Sequence, residues 1–246
     1  MVKDKVVVVT GSAQGIGKHA ARTFAQEGAR VVIADFNEEN AGKTAAELGS
    51  LTETLALTVD MREEAAVERM FEQVVRKFGQ VDVLVNNAAV VTHFLWGIPR
   101  WPSVSDMSLD FWNRVIQTNL GGTFLGTKHA IHHMASRKSG HIINLYGGGS
   151  VTVPGTCAYA VTKDAIRTFT RFTAEEVRDA NVCLVTFSPR LAIVTETAPE
   201  EALKRMPHPD VLGRAFVLAA QLPMEMSGLC VALEDGKLVK EGPMEG

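Results

Sequence analysis

Residues 6–9 are four consecutive valines set between Lys5 and Thr10. Side chains of a strand point to opposite faces in turn, so a strand with one wet face alternates apolar and polar residues. An unbroken β-branched run fits a central parallel strand covered on both faces. That requires helices on two sides of a sheet, and the residues that follow supply them. Gly11-Ser-Ala-Gln14-Gly15-Ile16-Gly17 reads as a tight turn, and a helical pattern through Ala21, Phe24 and Ala25 stops at Gly28. The alternation then continues. It predicts a strand over 30–34, a helix over 38–48, a strand over 53–59, a helix over 63–78 and a strand over 81–85. A long helix over 111–137, a strand over 141–145, a helix from 158 to 179, a strand over 182–187, a helix over 210–220 and a strand over 229–233 complete it. Successive units of this kind imply right-handed crossovers and a parallel sheet. Gly121 and Gly122 lie inside the long helix, where each costs about 1 kcal/mol relative to alanine. They predict close packing or a local irregularity there.

Other classes are excluded by composition. At 246 residues the chain suits one α/β domain over 1–246, which buries roughly three-quarters of its unfolded surface at this size. A formal net charge of −3 gives no broad attraction to nucleic acid or to an anionic membrane, which leaves a small molecule as the expected partner. Cys157, Cys183 and Cys230 are odd in number and widely spaced, which fits neither a disulfide framework nor a zinc knuckle and points to a reducing compartment. The amino terminus runs straight into the valines without a signal-peptide core, and no apolar run approaches the roughly 18 residues of a membrane span. A cytoplasmic location is expected.

The chemistry-bearing residues fall at strand ends. A strand, glycine turn and helix let bare amides and a helix amino terminus approach a pyrophosphate. Asp35 closes the second strand about 20 residues beyond the glycine turn, where a carboxylate accepts hydrogen bonds from the adenosine ribose of NAD. The alternative is an acidic helix cap beside Glu38 and Glu39. Neither Gln14 nor Phe36 supplies the cation that a 2′-phosphate would need, so NAD is expected over NADP. Asn86-Asn87-Ala88 follows the fourth strand at its carboxyl end, where open α/β sheets bind ligands. Tyr159 and Lys163 stand four apart on one helix face, where an ammonium lowers the pKa of a phenol toward the range of a general acid or base. Such a pair also arises by chance on amphipathic helices. His129, His132 and His133 have helical spacing that fits a metal face or, more simply, a helix surface or subunit contact; no metal is expected.

With Thr10-Gly11-x-x-x-Gly15-Ile16-Gly17, Asp60, Asn86-Asn87-Ala88, Asn119 and Tyr159-x-x-x-Lys163 in this order, the chain resembles the short-chain dehydrogenase/reductase family over nearly its whole length. The resemblance implies a Rossmann-type, doubly wound, seven-stranded parallel sheet in three α/β/α layers. It implies one nicotinamide cofactor and hydride transfer between it and a secondary alcohol or ketone. Tyr159 would exchange the substrate proton, Lys163 would lower its pKa and hold the nicotinamide ribose, and Asn119 would hold a relay water. Asp60, Met61, Asn87 and Ala88 would join Gly11, Gln14, Gly15, Ile16, Gly17, Asp35 and Phe36 along the cofactor. The resemblance also implies a homo-oligomer, tetramer or dimer, touching through the helices of Asn119 and Tyr159.

Four departures from the family pattern bear on function. Counting thirteen positions back from Tyr159 reaches Tyr146, where the family has its catalytic serine. Losing such a hydroxyl can cost on the order of 3 kcal/mol in the transition state. Tyr146 either lines the pocket and replaces that donor, or the loop shifts and Ser150 or Thr152 supplies it. An impaired, cofactor-binding protein with a binding or regulatory role is therefore the alternative function. The segment 90–107, with Phe94, Leu95, Trp96, Ile98 and Trp101 broken by Pro99 and Pro102, is longer than usual; it lines an apolar substrate pocket or packs on its own protein or a neighbour. Pro189-Arg190 replaces a Pro-Gly, and Ile193 and Thr195 are expected at the carboxamide. Residues 196–207 make a short lid within the second substrate segment, 190–208.

Overall fold

The computed structural model describes residues 1–91, 101–147, 154–190, 193–196, 198 and 200–241. Its elements are β1 (Val6–Thr10), α1 (Gly15–Gln26), β2 (Arg30–Asp35), α2 (Glu38–Leu48), β3 (Thr54–Thr58), α3 (Glu64–Phe78), β4 (Val83–Asn86) and α4 (Leu109–Ile116). After a π-helical turn, Gln117–Gly121, come α5 (Gly122–Ala135), β5 (Gly140–Leu145), α6 (Cys157–Glu176) and β6 (Val182–Ser188). Then follow α7 (Glu200–Leu203), α8 (Asp210–Ala219), β7 (Cys230–Glu234) and β8 (Lys237–Lys240).

All four valines of β1 are fully buried, and the two sides of the strand feed different cores. Val7 and Val9 join Phe24 of α1, Leu48 of α2 and Phe216 of α8. Val6 and Val8 join Met70 and Phe71 of α3 and Met134 of α5. Each buried valine contributes on the order of 1.5–3 kcal/mol, so the run is stable only when both helical layers are in place. The strand order is β3-β2-β1-β4-β5-β6-β7-β8, parallel from β3 through β7. The order reverses between β1 and β4, which opens a crevice at the carboxyl ends of those strands.

Among the described residues the sheet has eight strands rather than the seven expected. β8 returns antiparallel on β7, with Leu233 opposite Leu238. Asp235 and Gly236 both take positive φ, +48° and +74°, the backbone of a two-residue hairpin turn that Asp-Gly favours. The long helix is also interrupted. Its π turn buries Asn119, and the helix beyond approaches the sheet so closely that a Cβ on Gly126 would lie 2.4 Å from Asn86 Oδ1. Among the described residues no helix is long and apolar enough to cross a membrane.

Candidate active site

The crevice between β1 and β4 is bridged by side chains that hold the glycine turn. Asn87 donates through Nδ2 to the carbonyls of Thr10 and Gly11, 2.9 Å each, and Thr10 Oγ1 accepts from the backbone N–H groups of Asn87 and Ala88 at 3.1 Å. The turn is bare because it has to be. A Cβ on Gly11 would lie 2.7 Å from Ala88 Cα, and one on Gly17 would lie 2.4 Å from the Gly11 carbonyl oxygen and 2.5 Å from Asn87 Nδ2. Asp35 is buried and accepts from Ala13 N and Asn37 N, 3.0 Å each. One bond to each oxygen leaves each a further lone pair for a hydroxyl. Gln14 caps α1 without a side-chain bond, and Ile16 lies partly buried against the core. Phe36 lies 78 % exposed beside Asp35, so its ring is open to a flat ligand. Asp60 is tied to its neighbour Arg62, with Nε–Oδ1 at 3.0 Å, and Met61 is buried against Gly122.

On the β5 side, Asn86 and Asn144 pair in register, with Asn86 Nδ2 donating to Asn144 Oδ1 at 2.8 Å. Asn144 donates onward to Thr170 Oγ1 of α6 at 2.8 Å. Lys163 is buried and donates to the Leu145 carbonyl at 2.9 Å, with its ammonium 5.4 Å from the centre of the Tyr159 ring. Asn119 uses its whole amide: Oδ1 accepts from Val90 N at 2.7 Å, and Nδ2 donates to Val90 O at 3.0 Å and Thr162 Oγ1 at 3.2 Å. Thr162 donates to the Tyr159 carbonyl at 2.7 Å. The π turn is what brings Asn119 inward to join α6 to the end of the fourth strand.

Electrostatics correct one expectation. The Tyr159 phenol is not lowered by Lys163 but raised above the usual tyrosine range by burial. The ammonium is itself buried, which lowers Lys163 to about 8, and it points at the Leu145 carbonyl, so burial outweighs the attraction. Both groups are pushed toward their neutral forms.

The departures resolve differently. Tyr146 extends the ladder past β5, its N–H donating to the Phe187 carbonyl at 2.8 Å. Its ring is buried and its hydroxyl lies 3.5 Å from Asp164 Oδ1. Burial and the charges of Asp164 and Glu241 raise its pKa. Arg190 keeps a glycine-like backbone, φ +52°, and its guanidinium turns outward to Glu241 Oε1 at 3.2 Å and Glu234 Oε2 at 3.8 Å. The cation thus leaves the site through ion pairs with the added hairpin. Ile193 is buried in the core and Thr195 packs on the glycine turn, its Cγ2 3.1 Å from where a Cβ on Gly15 would stand. Trp101 packs edge-on against Phe111 of α4, centroids 5.0 Å apart. Phe94, Leu95, Trp96, Ile98, Ser150 and Thr152 lie outside the described residues. The short lid is pinned at both ends, Val194 N donating to Pro207 O at 3.2 Å, around a small cluster of Val194, Ala198 and Ala202.

His129 and His133 stack on Phe71, with centroids at 6.3 and 5.9 Å, so they belong to the packing of α5 on α3. Another histidine was missed. His19 of α1 is buried between Glu196 and Asp210, two residues remote from it in sequence; helical patterning reads it as an ordinary face position, and no local signal could have found its partners.

The fold and site define a dinucleotide-type α/β enzyme with a Tyr-Lys pair on the helix after β5. The comparisons agree. The short chain dehydrogenase family model matches residues 5–205. The chain is 34 % identical over 247 residues to the meso-2,3-butanediol dehydrogenase of Serratia marcescens, covering 90 % of this chain and 93 % of that one. It is 33 % identical over 235 residues to the cyclopentanol dehydrogenase of a Comamonas species, covering 92 % and 88 %. The crystal structure of a 3-ketoacyl-(acyl-carrier-protein) reductase from Brucella melitensis complexed with NADH superposes with a TM-score of 0.83 at 27 % identity, covering 95 % of this chain and 98 % of the other. The chain belongs to the short-chain dehydrogenase family of oxidoreductases.

Proposed function

We propose that the protein is an NAD-dependent dehydrogenase/reductase that transfers a hydride between nicotinamide and a secondary alcohol or its ketone. The observation that carries this reading is the buried Lys163 ammonium lying 5.4 Å from the Tyr159 ring centre, with Asn119 bonded to the same helical turn through Thr162. The residues suit a dinucleotide: the glycine turn before α1 carries no side chain at Gly11, Gly15 and Gly17 to block a diphosphate, and Asp35 keeps acceptor capacity for ribose hydroxyls. Asp35 would repel a 2′-phosphate, which favours NAD. Relatives named for 2,3-butanediol and cyclopentanol, and the NADH of the Brucella reductase, support the same substrate and cofactor classes. Bound nicotinamide supplies the hydride acceptor or donor. Tyr159 holds the exchangeable proton at its hydroxyl, neutral at working pH and able to donate to a carbonyl oxygen. Lys163, lowered to about 8, is able to exchange a proton near neutral pH.

Titrating NADH and NADPH, followed by turnover with cyclopentanol, 2,3-butanediol and their ketones, tests the reading. NADH is expected to bind more tightly, and Tyr159→Phe to lose a hundredfold or more in kcat with NADH affinity unchanged. Tighter NADPH binding sinks the role of Asp35, and silence across the panel sinks the enzyme. The second reading, a cofactor-binding protein with impaired catalysis, is favoured by the Tyr146 hydroxyl facing Asp164 at 3.5 Å. Turnover appearing only in Tyr146→Ser would establish it. We also expect a homo-oligomer, because Phe124 of α5 and Val161 and Phe172 of α6 lie 46, 44 and 61 % exposed on the two expected contact helices; a monomer in light scattering would refute this.

A further inference from the structure

The amino terminus of α1 already holds an anion. Gly15 N–H donates to Glu196 Oε2 at 2.9 Å, and the positive end of the helix dipole favours that charge there. The other carboxylate oxygen, Oε1, lies 3.5 Å from His19 Nε2, one turn into the same helix. His19 Nδ1 is hydrogen-bonded to Asp210 at the start of α8, and the second oxygen of Asp210 lies 3.1 Å from His208 Nδ1. His19 is buried, whereas the Glu196 side chain is 44 % exposed. The histidine is therefore the anchor and the glutamate the movable part.

We infer that Glu196 is an internal stand-in for the cofactor diphosphate, a latch on the glycine turn that a dinucleotide must displace, with His19 as its anchor. This rests on the reading of the α1 amino terminus as the diphosphate site. Two anions cannot share the Gly15 amide without repulsion, so the latch weakens dinucleotide binding for as long as it is held.

Protonation sets the strength of the hold. Both His19 nitrogens face carboxylates, and only imidazolium donates from both. The hydrogen bond to Glu196, with Asp210 adding to it, raises the His19 pKa above its ordinary value, against desolvation. The bond to His19 lowers Glu196 to about 2. Among the described residues the charges facing His19 are Glu196 from the segment after β6, Asp210 of α8 and His208 before it, with Arg22 of α1 acting on Asp210. Lys18 and Arg22 are engaged by Glu47 of α2. A histidine with a raised folded pKa holds the latch fully below its ordinary pKa and releases it as pH rises through the raised value. Glu196 stays charged far below that window, so the acid side does not release it. Dinucleotide affinity therefore increases with pH across the neutral range.

Glu196→Gln keeps the shape and removes the charge. In calorimetric titration at pH 6, it is expected to bind NADH about tenfold more tightly than the wild type, with the gap closing at pH 8.5. Adenosine, which carries no phosphate, is expected to bind both alike. Glu196→Asp, one methylene shorter, gives the same direction should the amide variant fold poorly, and His19→Gln removes the pH dependence. Equal NADH affinity at pH 6, or adenosine tightened by the same factor, overturns the latch while leaving the dinucleotide site standing. If neither protein binds NADH or NADPH, the site reading falls first and the latch falls with it.

Discussion

Replacing Gly17 by alanine sets helix propensity against the geometry of the glycine turn, and the structure says which wins. Gly17 is the third residue of α1, and alanine would be favoured by up to about 1 kcal/mol if propensity alone decided. The new Cβ, however, would stand 2.4 Å from the Gly11 carbonyl oxygen and 2.5 Å from Asn87 Nδ2. Ordinary contacts begin near 3.4 Å, so both groups would have to retreat by about 1 Å. The Asn87 amide holds the carbonyls of Thr10 and Gly11, and giving up those bonds costs about 1 kcal/mol each. Overpacking of this kind costs typically 1–3 kcal/mol. The expected net loss is therefore about 1–3 kcal/mol, or roughly 2–12 °C in Tm for a chain of this length. Gly42 of α2 is the internal control, since a Cβ there meets nothing within 4 Å and Gly42→Ala is expected to gain about 0.5–1 kcal/mol. Urea midpoints of the two variants measured together check the argument. Gly17→Ala as stable as Gly42→Ala would mean that the Gly11 carbonyl and the Asn87 amide yield without cost.

Two further substitutions probe the other side of the site. Lys163, lowered by burial to about 8, titrates at its higher ordinary value when unfolded, so the native state is penalised below 8 and gains stability as pH rises from there toward 10.5. The stability of Lys163→Met relative to the wild type should therefore fall between pH 7.5 and pH 10, read from urea midpoints, and a constant difference would deny the desolvation. Arg190→Gly relieves a left-handed backbone worth about 1–2 kcal/mol and removes only exposed ion pairs worth little. It is expected to keep or raise Tm, and a loss above about 1 kcal/mol would show that the pairs with Glu234 and Glu241 matter more than the backbone.

Where a signal is local, the sequence carried it. The helix over 38–48 has the expected bounds, and the strand over 53–59 is observed two residues shorter, because apolar period and capping residues act on near neighbours. The hairpin of β7 and β8 was legible too, in Asp235-Gly236 between Leu233 and Leu238, but its short flanks resemble a tail. The helix interruption was foreshadowed by Gly121 and Gly122; its form was not, since a π turn pays off only when Asn119 finds Val90 and Thr162 across space. The rise of the Tyr159 pKa could not be read from a spacing of four, because the spacing says where Lys163 is and not how dry its surroundings are.

By itself the sequence determined the doubly wound class, the family, the bare glycine turn and the order of the residues proposed for the cofactor and the proton. These follow from periodicity, from residues without a Cβ, and from ordered motifs along one chain. Only the tertiary structure decided that Tyr146 turns its hydroxyl to Asp164, that Arg190 leaves the site for the added hairpin, and that Glu196 reaches Gly15 and His19. Each of these joins residues from separate elements, Glu196 and Gly15 lying 181 positions apart. Such contacts depend on where the packed layers set the strand ends, which no local pattern encodes.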